Sequence, residues 1–300
     1  MKIIECVPNF SEGRDRKKID RIVSALSAVE DVRLLDTCID ADHNRMVMTF
    51  IGTPEAVEKG AAAVCEKAVD LIDMREHKGV HPRIGAVDVV PFVPLKGATM
   101  KNAVDAAHRF GRGFGKRKKI PVYFYGEAAL DPARRELPDV RKGEYEALKT
   151  RFDNPSWLPD AGPALFNPRS GAVAVGAREP LIAFNINLAT DNLQAAKDIA
   201  YSIRQSSGGL QHVKAIGVPL RSRNIVQVSM NLTNYKATSI RTVFDAVKEK
   251  ASESGISILE SELVGLIPEE AIKDVSAEYL QLSKFCEECI IETHLQSLQA

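Results

Sequence analysis

The stretch VRLLDTCID-ADHN-RMVMTFIG, residues 32–52, decides the fold. Two apolar runs flank Ala41, Asp42, His43 and Asn44, a short and mostly polar turn, so the stretch reads as a β-hairpin. Helix signals bracket it. Upstream, residues 15–30 place Ile19, Ile22, Val23 and Leu26 at spacings of three and four, the pattern of an amphipathic helix. A strand-like run, KIIECVPNF (2–10), precedes that helix. Downstream, Thr53 and Pro54 supply an N-cap and a first-turn proline for a helix through AVEKGAAAVCEKAVDLI. The run AVDVVPFVPL (86–95) follows, read as a further strand or an edge strand because it carries Pro91 and Pro94. The order is β-α-β-β-α-β, the split β-α-β pattern of a ferredoxin-like unit. A helix near 99–116 and a strand at 122–125 extend it.

The same order returns in the second half. LIAFNINL (181–188) reads as a strand, and Thr190 or Asp191 caps a helix over 192–205 that Gly208 and Gly209 end. VKAIGVPL (213–220) and IVQVSMNL (225–232) form a hairpin about the polar RSRN, a helix covers 239–254, and ISILESELVGLI (256–267) is again a strand. The halves repeat in pattern and not visibly in residues. Each open sheet needs a cover for its second face. The expected architecture is therefore α+β: two ferredoxin-like βαββαβ subdomains, 1–178 and 179–300, with sheets packed face to face, helices outside and a cleft between.

Composition agrees with this size and excludes several classes. The 300 residues are 45% apolar and 27% charged, enough for a sizeable, mostly aliphatic core in two domains. Forty Lys and Arg balance forty Asp and Glu, which removes any sequence-wide attraction to nucleic acid or an anionic membrane. No apolar run reaches the length of a membrane span, and Glu5 interrupts the apolar N-terminus, unlike a signal peptide. Cys6, Cys38, Cys65, Cys286 and Cys289 are too scattered for a disulfide framework, so a reducing cytoplasm is the expected compartment. Cys286 and Cys289 have C-x-x-C spacing without a second pair, and read as helix surface near the C-terminus. Residues 269–282 read as a C-terminal helix serving core or interface.

Chemistry concentrates in three places. Residues 126–179 hold six prolines, five glycines and the aromatics Phe152, Trp157 and Phe166, a composition that suits either packing or a lid or ligand-lining loop. Arg75 to Arg83 (REHKGVHPR) places His77 and His81 four apart, but Lys78 stands where a zinc helix has glutamate, and Gly79 and Pro82 oppose a helix. No metal is expected. What survives is a loop histidine among cations, whose pKa such neighbours lower. A neutral imidazole is what a general base requires, whereas a solvated loop is the plain alternative. Third, Asp36, Asp40, Asp42, His43, Asn44 and Arg45 gather at the hairpin end. They serve there as turn formers or as carboxylates that orient an imidazole.

The chain resembles the formiminotransferase family at Cys6-Val7-Pro8-Asn9-Phe10-Ser11-Glu12-Gly13, at His77-Lys78-Gly79, at His81-Pro82-Arg83 and at Asp88. The likeness continues at Tyr125-Gly126-Glu127, Gly176-Ala177-Arg178, Ala183-Phe184-Asn185-Ile186-Asn187 and Glu262-Leu263-Val264-Gly265. Val80 stands where many members carry an acidic residue. The resemblance implies transfer of the formimino group of N-formimino-L-glutamate to nitrogen-5 of tetrahydrofolate, a co-substrate, in histidine degradation and one-carbon metabolism. It implies His81 as the catalytic residue. The folate-contacting stretch falls on Gly162, Pro163, Ala164, Leu165, Phe166, Asn167, Pro168, Arg169, Ser170 and Gly171. Asp36, Asn44, Arg45, Lys78, Arg83 and Arg178 are assigned to holding substrate carboxylates or supporting the site. A 5-formyltetrahydrofolate-dependent activity and a non-catalytic folate-binding module are the alternatives. The implied partners are these small molecules, a second copy in a homodimer and a separate cyclodeaminase.

Overall fold

The computed structural model describes residues 1–296, and the protein is α+β. The chain divides into two compact units, Met1–Arg178 and a second that begins at Glu179. In the first unit the strands are β1 (Ile4–Cys6), β2 (Asn9–Phe10), β3 (Val32–Asp40), β4 (Arg45–Gly52), β5 (Val87–Pro94), β6 (Val122–Gly126) and β7 (Val173–Ala177). Its helices are α1 (Arg16–Ser24), α2 (Pro54–Leu71), α3 (Met100–Lys118), α4 (Leu137–Arg141) and α5 (Glu144–Arg151). Strand β3 pairs with β4, both β1 and β2 lie between β4 and β5, and these pairings are antiparallel. Beyond β5 come β7 and then β6, in parallel register.

Strand β5 is central and not an edge, despite its prolines. Phe92 pairs with Cys6 on one side and with Ala177 on the other. The missing N–H of Pro91 falls at the interruption between β1 and β2, where its carbonyl accepts the Val7 N–H at 3.2 Å. One break thus accommodates Pro8 and Pro91 together, at a place where the ladder demands no donor. Strand β7 is not legible as a strand in the sequence pattern above. Its five residues, VAVGA, close the gap between β5 and β6.

Both faces of this part of the sheet are covered. Phe92, Phe124, Val173 and Val175 belong to the main core with Phe50, Phe110 and Phe114, and helices α2 and α3 pack there. Burying each such phenylalanine side chain is worth about 1.5–3 kcal/mol. Val89, Tyr123, Tyr125 and Ala174 face the other way, onto Val140 of α4 and Leu148 of α5. The Pro/Gly-rich segment therefore builds a lid of two short helices over the second face. It carries Arg141 and Glu144 to that face.

In the second unit the strands are β8 (Ile182–Leu188), β9 (Val213–Leu220), β10 (Ile225–Leu232) and β11 (Ile258–Leu263). The order is β11-β8-β10-β9, antiparallel throughout. Helices α6 (Leu193–Ile203) and α7 (Ile240–Glu253) pack on one face over Phe184, Ile186, Val228 and Phe244. The cap of α6 is Asn192, not Thr190 or Asp191, and its side chain accepts the N–H groups of Gln194 and Ala195. Two further helices are short, α8 (Glu269–Ile272) and α9 (Ile291–Gln296). The expected C-terminal helix over 269–282 stops after one turn. Leu280 and Leu282 are drawn into the core, and Leu282 bridges Ser261. Cys286 and Cys289 sit on a tight 3-10 turn and not on a helix surface, with sulfurs 3.6 Å apart.

Candidate functional site

The loop from His77 to Arg83 is clamped to the β3–β4 turn by glycine and by Asn44. A Cβ on Gly79 would stand 2.3 Å from the His43 carbonyl oxygen, so only glycine permits this approach. Asn44, in a left-handed conformation (φ 49°), accepts the Gly13 N–H at 2.9 Å and donates to the Lys78 carbonyl at 3.1 Å. Its own carbonyl accepts from His77 Nε2 at 2.9 Å. That contact fixes the His77 tautomer, because a carbonyl only accepts, and leaves Nδ1 to receive Arg83 Nε at 3.4 Å. Desolvation pushes the pKa of His77 down against the pull of the Asn44 carbonyl. Both of its ring nitrogens are thereby engaged in structure.

His81 is placed differently. Its Nδ1 lies 2.9 Å from Arg45 Nη1 and 2.8 Å from the Pro82 carbonyl oxygen. Among the described residues its Nε2 has no hydrogen-bond partner. Desolvation of the half-buried ring, and then the Arg45 and Arg141 cations, hold its pKa well below the usual imidazole value. The ring is uncharged at neutral pH, and in the tautomer that donates Nδ1–H to Pro82 its Nε2 carries the lone pair.

The cations are held by Asp88, which is 1% exposed. Arg45 Nη1 donates to its Oδ2 at 2.9 Å, Arg141 Nη2 donates to the same oxygen, and the Ile84 N–H reaches Oδ1 at 3.0 Å. Burial raises the Asp88 pKa, but the Arg141 and Arg45 charges outweigh that and keep it ionised. Arg45 Nη2 and Nε are taken by Asn9 Oδ1, at 2.6 and 3.1 Å. Burial brings the Arg45 pKa down to about 10 in spite of Asp88. One buried carboxylate thus anchors two guanidinium groups from β4 and α4 beside one imidazole.

The hairpin's carboxylate does orient an imidazole, but that of His43. Asp40 Oδ2 lies 2.6 Å from His43 Nδ1, and the His43 ring packs edge-on against His81 with centroids 5.9 Å apart. Asp36 is elsewhere. It pairs with Thr49, four residues along β3 from the Asp40–Arg45 pair, about 13 Å away at strand rise. Arg83 is occupied by Glu144 and Glu146, with contacts of 3.0 and 2.6 Å. Arg178 lies beside Tyr125, whose pKa burial raises against the Arg178 charge. The Lys78 side chain is exposed and has no partner among the described residues.

The stretch Gly162–Gly171 is pinned at both ends. Gly162 (φ +77°) approaches the Ile120 carbonyl, and Gly171 (φ +69°) approaches that of Ile84, leaving 2.1 and 2.2 Å for any Cβ. Asn167 Oδ1 accepts the N–H groups of Arg169 and Ser170, and Phe166 packs on Tyr145 at 5.7 Å. Leu165 is 71% exposed. The Gly171 tether sets the end of this loop against Ile84 and Gly85, just beyond His81–Arg83. Among the described residues no cluster of three or more His, Cys, Asp or Glu side chains could hold a metal ion.

Asp88 carried a sequence signal, since a charge inside the apolar run AVDVV must be paired once buried. Arg141 carried none, because only the fold brings α4 over β5. His43 and Asp40 stood in plain view as turn residues.

An uncharged imidazole beside two guanidinium groups, on an α+β unit with a tethered loop nearby, is an arrangement that can accept and return a proton. A family profile described as the formiminotransferase domain, N-terminal subdomain, matches residues 3–178, and one described as the formiminotransferase domain matches 183–298. The chain belongs to the formiminotransferase family. It is 44% identical to a glutamate formimidoyltransferase of Thermoplasma acidophilum, covering 99% of this chain and 98% of that one. It is 41% identical to a glutamate formimidoyltransferase of Streptococcus pyogenes, covering 98% and 99%. A formimidoyltransferase-cyclodeaminase of Rattus norvegicus is 43% identical over 94% of this chain, which spans 53% of that relative.

Proposed function

We propose that this protein is a glutamate formimidoyltransferase that moves the formimino group of N-formimino-L-glutamate onto nitrogen-5 of tetrahydrofolate. The observation that carries the reading is the uncharged His81 ring with an unengaged Nε2, in a chain matched end to end by relatives of that name. Tetrahydrofolate supplies the nucleophilic nitrogen when bound. Leu165 and the half-buried Phe166 offer it an apolar patch on a loop already pinned at Gly162 and Gly171, which suits a flat, amphipathic ring.

His81 Nε2 accepts the proton that leaves the attacking nitrogen and returns it to the departing glutamate nitrogen. Pro82 holds the ring by its Nδ1–H. Burial, and then Arg45 and Arg141, keep it neutral beforehand and make it a ready proton donor once charged. Lys78, exposed and unpaired, is the cation that reaches a substrate carboxylate, whereas Arg45 is engaged by Asn9 and Asp88. The same reading includes a cytoplasmic homodimer and a separate cyclodeaminase acting on the product.

The test is a spectrophotometric assay of purified protein with tetrahydrofolate and formiminoglutamate, run alongside a 5-formyl donor. Turnover of formiminoglutamate that His81→Gln abolishes supports the reading. Turnover of the formyl donor alone, or tight folate binding with no turnover, overturns it.

A further inference from the structure

The proton removed by His81 enters unfavourable surroundings. Arg45 Nη1 is 2.9 Å from the ring, and Arg141 stands behind it on Asp88. The ring that packs edge-on against His81 has the opposite environment. His43 is 6% exposed, its Nδ1 faces Asp40 Oδ2 at 2.6 Å, and its backbone N–H reaches Asp40 Oδ1 at 2.8 Å. A carboxylate only accepts, so neutral His43 carries its proton on Nδ1 and its lone pair on Nε2. That Nε2 has no hydrogen-bond partner among the described residues. With ring centroids 5.9 Å apart and the rings tilted at 61°, a proton can pass between them through one bridging water.

We propose that His43, oriented by Asp40, is a second proton-transfer residue of this site: it receives at Nε2 the proton that His81 takes from the attacking nitrogen. The inference rests on the formimidoyl-transfer reading. The N–H bond of the nucleophile breaks and one forms at His81 Nε2. That proton passes to His43 Nε2, where the imidazolium faces the Asp40 carboxylate. It then returns through His81 to the departing glutamate nitrogen, so both rings end neutral and no other reactant is consumed. Burial raises the pKa of Asp40, but its hydrogen bonds to the His43 side chain and backbone outweigh that, so the carboxylate is charged at working pH.

The charged and titratable groups around His43 come from four segments. Asp40 and Asp42 flank it on its own turn, Arg45 follows on β4, His77, Lys78 and His81 come from the clamped loop, and Arg14 donates to the neighbouring Ala41 carbonyl beside Glu12. Of these, Asp40 contacts the ring through a carboxylate, and the His81 ring lies tilted at 61° to it.

The experiment compares wild type, His43→Gln and Asp40→Asn in kcat and KM for formiminoglutamate from pH 5 to 9, with near-ultraviolet circular dichroism as the check on folding. The expected result for His43→Gln is a kcat lower by roughly 10²-fold, little change in KM, and loss of one limb of the pH profile. Asp40→Asn shifts that limb to lower pH, because the imidazolium loses its counter-charge. Folded His43→Gln with wild-type kcat and profile overturns the proposal. If that variant fails to fold, an unshifted profile in Asp40→Asn overturns it instead. Absence of formiminoglutamate turnover in wild type is a different failure, that of the underlying reading.

Discussion

Arg45 Nη1 stands 2.9 Å from His81 Nδ1 and shares that nitrogen with the Pro82 carbonyl oxygen, 2.8 Å away. The two contacts ask for opposite tautomers. Arginine can only donate and needs a lone pair on Nδ1, whereas the carbonyl can only accept and needs a proton there. The Pro82 contact frees Nε2 to act as a base, and the Arg45 contact places the proton on Nε2. A neutral ring therefore has both forms at hand without moving, while a charged ring meets a guanidinium at contact distance. His81→Gln keeps the size and a polar end but cannot shuttle a proton. The expected cost is 10²–10⁴ in kcat, or about 3–5 kcal/mol of barrier, read from steady-state rates on wild type and variant.

The depressed pKa values of His81 and His77 also set how stability depends on pH. In the unfolded chain both imidazoles take up protons near pH 6.5. In the folded protein they do so only at lower pH. Between those limits the unfolded state binds more protons, so stability falls as pH falls. The contribution is complete above about pH 6.5 and is lost progressively below it. Urea denaturation at pH 7.5, 6.0 and 5.0 should show a midpoint falling with acid, and less steeply in His77→Gln. A midpoint independent of pH in wild type would contradict the assignment.

Asp88 neutralises two guanidinium groups from a position 1% exposed. Asp88→Asn keeps the shape and leaves Arg45 and Arg141 facing each other without a counter-charge. Breaking a buried pair in this way costs about 3–5 kcal/mol. The unfolding free energy should fall by that amount, and the acid limb of any remaining activity should move to lower pH as His81 meets uncompensated cations.

Gly79 holds the His77–Arg83 loop against the hairpin turn. A methyl group there meets the His43 carbonyl oxygen at 2.3 Å, and backbone cannot move aside as a flexible side chain would. Gly79→Ala should cost about 1–3 kcal/mol of stability, the usual range for overpacking. It should also lower kcat more than it raises KM, since it separates the loop bearing His81 from the turn bearing His43. Wild-type kinetics in this variant would show that the clamp has no part in positioning the ring.

Much of this arrangement could be read from residue patterns, and the exceptions share one cause. The hairpin, the two β-α-β-β-α-β orders and the loop histidine follow from local periodicity and turn chemistry, which need no knowledge of neighbours. Strand β7 and the position of β5 do not. VAVGA is too short to stand out inside a Pro/Gly-rich segment, and Pro91 argues for an edge until the break at Val7 and Pro8 is seen opposite it. Arg141 lies 53 residues from Asp88 and has no local mark. His81 was legible as an imidazole of lowered pKa because cations surround it in the chain itself. Its strongest cationic neighbour, Arg45, comes from the hairpin 36 residues earlier.

Leu165 offers the most direct test of the tethered loop. It is 71% exposed, so it owes little to the core, and changing it should move stability by no more than about 0.5 kcal/mol. An exposed leucine on a loop pinned at Gly162 and Gly171 has a purpose if a flat apolar ring lies on it. Leu165→Asp removes that surface and adds a charge that the bound ring would have to desolvate. The KM for tetrahydrofolate should rise about tenfold, equivalent to 1.4 kcal/mol, with kcat and the KM for formiminoglutamate little changed. Isothermal titration with folate in the absence of the second substrate separates binding from turnover. An unaltered affinity in a folded variant would move the folate site away from Leu165, while His81 kept its role.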